Sequence, residues 1–96
     1  MRLRWSRRAE DDMARIVEHI AKENPRTAID VGDTIERSIS QLKSFPEMGR
    51  RGRVPGTREL VISGLPFIAI YRARASVIQI ARVLHGAQRW PPEVGT

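Results

Sequence analysis

The chain has 96 residues and a mass of 10.9 kDa, the size of one small domain. Hydrophobic residues make up 41% and charged residues 29%, which is too apolar for a disordered chain. It contains no cysteine, which excludes a disulfide framework, a thiol nucleophile and a cysteine-based zinc site. No apolar run approaches the roughly 20 residues of a membrane span, and the basic N-terminus lacks the apolar core of a secretory signal. We therefore expect a reduced, cytoplasmic protein with no membrane partner.

The positive charge is concentrated in the second half of the chain. Lys and Arg number 17 against 11 Asp and Glu, a net charge of +6, and 15 of the 17 cations are arginine. Residues 1–43 carry 9 cations and 8 anions, whereas residues 44–96 carry 8 cations and 3 anions. Arginine binds carboxylates and phosphates through a planar, forked guanidinium. The asymmetry predicts one basic working face and an anionic partner.

The first half of the sequence predicts a strand followed by two helices. Residues 2–5 alternate apolar and basic side chains, which is the period of a short strand. Ser6 can cap a helix over residues 7–23, and Asn24, followed by proline, ends it and caps a second helix over residues 25–43. Apolar residues recur at helical spacing along both segments. The short break between them predicts an antiparallel helical hairpin.

The second half predicts a loop and then a sheet. Residues 44–57 contain three Gly, two Pro and three Arg, the composition of a loop. Residues 58–84 contain three strand-type segments whose short connections predict an antiparallel meander. Prolines prevent residues 85–96 from extending the last strand, so they form a tail. The order β-α-α-β-β-β predicts a single α+β domain over residues 1–96, with the helical hairpin packed on one face of a small, mainly antiparallel sheet and the other face open.

Arginines of the loop and strands are the candidate anion-binding residues. Glycines beside the loop arginines permit close approach to a phosphate backbone, although a merely solvated loop has a similar composition. Strand arginines cannot face a core unpaired. Because Glu59 is the only acid in the three strands, we favour an exposed basic surface over pairing with helix acids. The candidates are Arg50, Arg51, Arg53, Arg58, Arg72 and Arg82.

A histidine follows the last strand and is the one candidate acid or base near this surface. His85, flanked by arginines, could transfer protons on RNA, but a structural role, with its ring bonded to the backbone, is the favoured interpretation. Trp5 and Trp90 are expected to pack rather than to stack on bases. The sequence has no phosphate-binding glycine motif, carboxylate pair or metal-ligand spacing, so we predict no cofactor and no metal.

Several short motifs occur together in a recognisable order. They are Trp5-Ser6, the loop Phe45-Pro-Glu-Met-Gly-Arg50, and the strand sequences Arg58-Glu-Leu-Val-Ile62, Ile70-Tyr-Arg72 and Ile80-Ala-Arg-Val-Leu-His-Gly86. Over essentially its whole length the chain resembles the RelE/ParE superfamily of bacterial toxins. The resemblance implies the growth-arresting toxin of a type II toxin–antitoxin system. It would be neutralised in a hetero-oligomer by a small ParD-like or RelB-like antitoxin that is acidic in part.

The resemblance leaves two targets, because ParE-like members act on DNA gyrase and RelE-like members cut mRNA in the ribosomal A site. Nuclease members often carry an aromatic-Arg-x-x-Tyr pattern where this chain has Phe67 and Tyr71 with Ile68 at the Arg position. Loop lysines and a tyrosine after the last strand are also absent, so the gyrase branch is favoured. For the nuclease alternative, the candidate catalytic residues are Arg58, Arg72, His85 and Arg89. An alternative of another class is a non-toxic basic module that binds nucleic acid.

Overall fold

The computed structural model describes residues 1–87 and Trp90. The predicted tail therefore lies largely outside the described residues, and Arg89 is among those left out. None of the helices within the described part is long and apolar enough to cross a membrane. A 3₁₀ turn, Gln41–Lys43, follows the second helix. The other elements are β1 (Arg2–Trp5), α1 (Arg7–Ala21), α2 (Pro25–Ser40), β2 (Arg50–Arg51), β3 (Arg58–Val61), β4 (Phe67–Arg74) and β5 (Val77–His85).

The five strands form one mixed sheet in the order β1-β5-β4-β3-β2. β1 runs parallel to β5, from Arg2 opposite Val77 to Trp5 opposite Ile80, and the other neighbours are antiparallel. The predicted α+β architecture, with a helical hairpin on a mainly antiparallel sheet, is confirmed. The loop prediction for residues 44–57 missed β2, because only two residues pair with β3 and the surrounding Gly and Pro conceal them.

Both helices begin at the predicted caps. The Ser6 hydroxyl accepts a hydrogen bond from the Ala9 N–H, and the Asn24 side chain accepts one from the Thr27 N–H. α1 ends at Ala21, short of the predicted boundary, because the N–H groups of residues 23 and 24 both bond to the carbonyl of Ile20. This tightened turn reverses the chain and sets the second helix beside the first.

The core lies between the helical hairpin and one face of the sheet. Burial of large apolar side chains is its main stabilising contribution, at roughly 1.5–3 kcal/mol for each one removed from water. The buried cluster comprises Ala9, Val31, Ile35, Ile39, Leu42, Leu60, Ile62, Phe67, Ala69, Tyr71, Ile78, Ile80 and Val83.

A buried carboxylate joins α1 to β5 beyond the point where β1 ends. Asp12 accepts hydrogen bonds from Arg82 Nε at 2.7 Å, from Arg82 Nη2 at 3.0 Å and from the Val83 N–H at 3.0 Å. The Ser6 hydroxyl also donates to the Ala81 carbonyl at 2.8 Å. Side chains of the α1 region therefore satisfy backbone groups of β5 after β1 has stopped, and the helix is held against the strand.

The second face of the sheet is covered in part. Ile70 and Leu84 are buried although they do not belong to the cluster beneath the helices. They line a small hollow with Ile68, Arg53 and Trp90, and the Arg53 guanidinium donates to the Trp90 carbonyl at 3.2 Å. The prediction of an open face is therefore wrong at this patch, where Trp90 packs against the sheet as expected of that residue.

Candidate functional site

The six predicted anion-binding arginines fall into two groups. Arg50, Arg58 and Arg82 are held by hydrogen bonds to an acid or to loop carbonyls, although more than half of the Arg50 side chain remains exposed. Arg51, Arg53 and Arg72 are exposed, and of these Arg53 also donates to the Trp90 carbonyl. The first group stabilises the fold, because Arg50 and Arg82 each pair with a buried carboxylate and Arg58 binds two backbone carbonyls.

Arg82 belongs to the buried ion pair with Asp12. Its forked contact with the carboxylate raises the pKa of Arg82 further above its ordinary value, although burial opposes the shift. The expectation that Arg82 lies on an exposed basic face is wrong, since only 14% of its side chain is exposed. The favoured surface interpretation failed because the acid that pairs with this strand lies 70 residues away in the sequence, on α1.

Arg50 neutralises the buried acid of the sheet. Glu59 is 4% exposed, and its Oε1 accepts from Arg50 Nε at 3.2 Å and Nη2 at 3.0 Å. The Arg53 N–H donates to Glu59 Oε2 at 3.2 Å. A buried carboxylate without such partners would be costly, so Arg50 is committed to Glu59 rather than available to a ligand.

Arg58 and Tyr71 hold a single turn of the basic loop. Arg58 Nη1 donates to the carbonyl of Gly49 at 2.8 Å and to that of Glu47 at 3.4 Å. The Tyr71 hydroxyl donates to the Pro46 carbonyl at 2.8 Å and accepts from the Gly49 N–H at 2.9 Å. Burial raises the pKa of Tyr71, and the hydrogen bond with Gly49 partly offsets the rise. We call residues 45–49 the tethered turn.

Gly49 is required at this place for a steric reason. A Cβ on Gly49 would lie 2.7 Å from both the Cε1 and the hydroxyl oxygen of Tyr71, and 3.0 Å from the Glu59 carbonyl. The turn is therefore packed against the only tyrosine of the chain. The sequence signal for this contact was the Pro-Glu-Met-Gly run, which composition alone assigns to an ordinary loop.

The exposed arginines surround the remainder of the loop. Arg51 and Arg53 line a hollow of about 490 Å³ at residues 51–58, and Arg72 Nη1 lies beside Gly56. The Gly52 N–H donates to the Thr57 carbonyl at 2.8 Å and closes this part of the loop. Solvent also reaches more than half of the Arg50 side chain, which is bound to Glu59.

His85 and the strand arginines are not brought together. His85 lies opposite Phe67 in the β4–β5 pair, and its ring contacts that of Phe67 edge-on at 5.7 Å between centroids. Arg72 lies five positions further along β4 than Phe67, a distance of roughly 17 Å at the rise of an extended strand. His85 Nδ1 accepts from the Ala87 N–H at 3.0 Å. The favoured structural interpretation of His85 agrees with this contact to the backbone.

The candidate catalytic set cannot be completed from the structure, since Arg89 lies outside the described residues. Around His85, the hollow shared with Arg53 and Trp90 measures only about 20 Å³. Within residues 1–87 and Trp90, no group of three His, Asp or Glu side chains could hold a metal ion.

An apolar groove lies at the opposite edge of the sheet, beside the helical hairpin, and none of its lining residues was among the predicted site residues. It measures about 900 Å³ and runs between α1, α2 and β1. Ile29 projects from α2 with 62% of its surface exposed, off the apolar face that the helical spacing defines. Apolar and acidic side chains line it: Leu3, Trp5, Met13, Val17, Ile29, Glu10, Asp33 and Glu36. We call this feature the acidic groove.

The molecule is thus a small α+β protein with a ligand-sized groove at one edge and an arginine-rich loop at the other, a class suited to binding macromolecules. Residues 3–90 match the family model described as the ParE toxin of the type II toxin–antitoxin system parDE. The chain belongs to this family, and it is a type II toxin. The resemblance to the RelE/ParE superfamily is thereby confirmed.

Individual relatives agree with the family match. The chain is 38% identical over 90 residues to the Y4kP protein of Sinorhizobium fredii, covering 94% of this chain and 93% of the relative. It is 29% identical over 84 residues to toxin RelE1 of Caulobacter vibrioides, covering 85% and 89% of the two chains. A solved structure of the chromosomal ParDE TA system from P. aeruginosa matches with a TM-score of 0.82 and 31% identity, over 88% of this chain and 95% of that one.

Proposed function

We propose that this toxin arrests growth by inhibiting DNA gyrase in the cytoplasm through protein–protein contact. The family description and the solved ParDE structure support the gyrase branch over the nuclease branch. The same proposal assigns the exposed arginines to binding rather than to catalysis.

One observation carries the proposal: the candidate nuclease residues that the structure describes, Arg58, Arg72 and His85, do not converge on a common point. Arg58 binds two loop carbonyls, and His85 lies about 17 Å along the sheet from Arg72. Cleavage of RNA needs a base, an acid and cations placed around one phosphate. Inhibition by contact requires only a complementary surface.

The antitoxin is proposed to occupy the acidic groove. The apolar lining fits the apolar stripe of an amphipathic helix, and the carboxylates of Glu10, Asp33 and Glu36 favour cations along the flanks of that helix. An acidic segment of the same antitoxin would meet Arg51 and Arg72 at the other edge. The two contacts together would give a toxin–antitoxin hetero-oligomer.

The test compares two activities of the purified toxin in parallel. We expect relaxed plasmid to stay relaxed when gyrase is incubated with toxin and ATP, and supercoiling to return when the cognate antitoxin is added in excess. In the same preparation, mRNA on stalled ribosomes should remain intact. Cells induced without antitoxin should show a DNA-damage response before translation falls.

Two other outcomes identify the alternatives. Codon-positioned cuts in ribosome-bound mRNA, with supercoiling unaffected, would contradict the gyrase proposal and support the RelE-like branch. Harmless overexpression, with salt-dependent binding of RNA or DNA by the isolated protein, would contradict both toxic mechanisms and indicate a nucleic-acid-binding module.

A further inference from the structure

The tethered turn displays two large apolar side chains to solvent. Phe45 is 63% exposed and Met48 is 43% exposed, although both flank the backbone that Tyr71 and Arg58 hold in place. Exposure of single apolar residues is ordinary, but these two occupy one short turn. The turn therefore combines an exposed apolar tip with a fixed base.

The rigidity of the base distinguishes this turn from a solvated loop. Every residue from 46 to 49 except Met48 contributes a backbone group to Tyr71 or Arg58, at distances of 2.8–3.4 Å. The Met48 N–H bonds to the Phe45 carbonyl at 3.1 Å, and the Phe45 N–H bonds to the Gln41 carbonyl at 2.9 Å. Both exposed side chains thus stand on a fixed backbone, which lowers the entropy cost of binding through them.

The apolar surface extends from the turn to the sheet. Met48 lines two neighbouring hollows, one of about 600 Å³ with Phe45 and one of about 380 Å³ with Val61. Val61 is 52% exposed. Phe45, Met48 and Val61 therefore form one patch at the β2–β3 edge of the sheet.

Cations outnumber acids beside this patch. Lys43 precedes the turn and is exposed, and Arg50, with more than half of its side chain exposed, lines the second hollow together with Glu59, its ion-pair partner. The exposed acid of the turn, Glu47, lies 3.8 Å from the Arg58 guanidinium. The positive margin disfavours a second copy of this chain, which would bring like charges together, and favours an acidic rim on the partner.

We infer that Phe45, Met48 and Val61 form the surface by which this toxin contacts its protein target, in a pocket that is apolar at its centre and rimmed by carboxylates. The inference rests on the proposed function, in that it takes the target to be a protein. The sheet order places this target patch at the β2 edge and the acidic groove at the β1 edge. Target binding and antitoxin binding through the groove would then be separable by mutation.

The test uses the full chain with two variants of similar design. Phe45→Ser with Met48→Ser removes the apolar tip, and Ile29→Ser removes an equally exposed apolar side chain from the groove. We expect the double variant to need roughly tenfold or more toxin for half-maximal inhibition of purified gyrase, because central apolar contacts dominate interfaces. Its affinity for the antitoxin and its melting temperature should stay unchanged. Ile29→Ser should show the reverse pattern, with antitoxin affinity lowered and inhibition retained.

The inference is overturned if the double variant inhibits gyrase and arrests growth as the unmodified toxin does. It is also overturned if the double variant still inhibits its target but binds the antitoxin more weakly, no longer self-associates or no longer binds RNA. Failure of the proposed function has a different signature, in which the unmodified toxin arrests growth without inhibiting gyrase. In that case growth arrest still tests the patch. Loss of growth arrest in the double variant supports a target contact at the patch, and retention of growth arrest contradicts one.

Discussion

The two edges of the sheet differ in charge and in how their side chains are used. At the β1 edge, the acidic groove combines apolar side chains with Glu10, Asp33 and Glu36. At the β2 edge, arginines prevail, and two of the predicted anion-binding arginines there, Arg50 and Arg58, are bound within the protein itself. A net charge of +6 therefore describes neither edge. The comparison teaches that the arginine content of a sequence reflects ion pairs and hydrogen bonds within the fold as well as surface that is available for binding.

The largest expected effect concerns Asp12, which decides whether Arg82 stabilises the fold or serves the basic surface. Asp12→Ala leaves a buried guanidinium and the Val83 N–H without their acceptor, and we expect it to lower the free energy of unfolding by about 3–5 kcal/mol. Urea unfolding followed by circular dichroism measures the change. Asp11→Ala, at the exposed neighbouring position, is the control, with an expected change within about 0.5 kcal/mol. If the two variants had equal free energies of unfolding, the ion pair with Asp12 would not stabilise the fold, and Arg82 would again be a candidate for binding a partner.

A smaller loss is expected at the tethered turn. Gly49→Ala places a Cβ 2.7 Å from the Tyr71 ring, so the turn must shift, and we expect a loss of about 1–3 kcal/mol. Gly86→Ala is the matched control, because its Cβ would meet only the Pro66 carbonyl at an ordinary 3.5 Å. If the two variants melt at the same temperature, the base of the turn is not rigid. A fixed turn would then no longer distinguish the β2 edge of the sheet from the β1 edge.

Alkaline pH tests the same tether without a steric change. Burial raises the pKa of Tyr71 in the folded protein, so the unfolded chain loses this proton first. The contribution of Tyr71 to stability should be complete below about pH 10, the ordinary pKa of tyrosine, and decline as pH rises through the folded value. Unfolding free energies of the unmodified protein and Tyr71→Phe, compared from about pH 8 to about pH 11, measure this decline. A constant difference across that range would contradict it.

The smallest effects are expected from the exposed arginines. Arg51→Gln with Arg72→Gln should leave the unfolding free energy within about 0.5 kcal/mol, since both side chains are exposed. It should slow association with the antitoxin about threefold at low salt and not at high salt. Arg50→Gln serves as the contrast, because loss of its charge leaves the buried Glu59 poorly compensated and lowers stability. Stopped-flow association with the antitoxin at two salt concentrations, together with urea unfolding, distinguishes the exposed arginines from Arg50.

Local signals in the sequence were sufficient for the helices and most of the sheet. Ser6 and Asn24 cap α1 and α2 as their residue types predict, because capping depends on neighbours within three residues. Pairings over long sequence separations were not predictable in the same way. The contact between Asp12 and Arg82, and that between Gly49 and Tyr71, depend on how the sheet is assembled.

The residues that line the acidic groove were not predictable for a related reason. Ile29 breaks the helical spacing that marks the core-facing side of α2, and an exposed apolar residue read alone carries no meaning. Only the packing of α1 and β1 beside it makes a groove. The family resemblance supplied the toxin assignment, whereas the residues alone indicated an anionic partner.

The parallel pairing of β1 with β5 has a consequence for synthesis on the ribosome. β1 leaves the exit tunnel well before its partner strand β5, which begins only at Val77. Until then the helical hairpin has no complete sheet on which to bury its apolar side chains. The nascent toxin therefore cannot complete its sheet before β5 has been synthesised, because a pairing of such long sequence separation forms late. A chain terminated before Val77 would lack an interior strand of the sheet, so the fold itself makes toxicity depend on translation through β5.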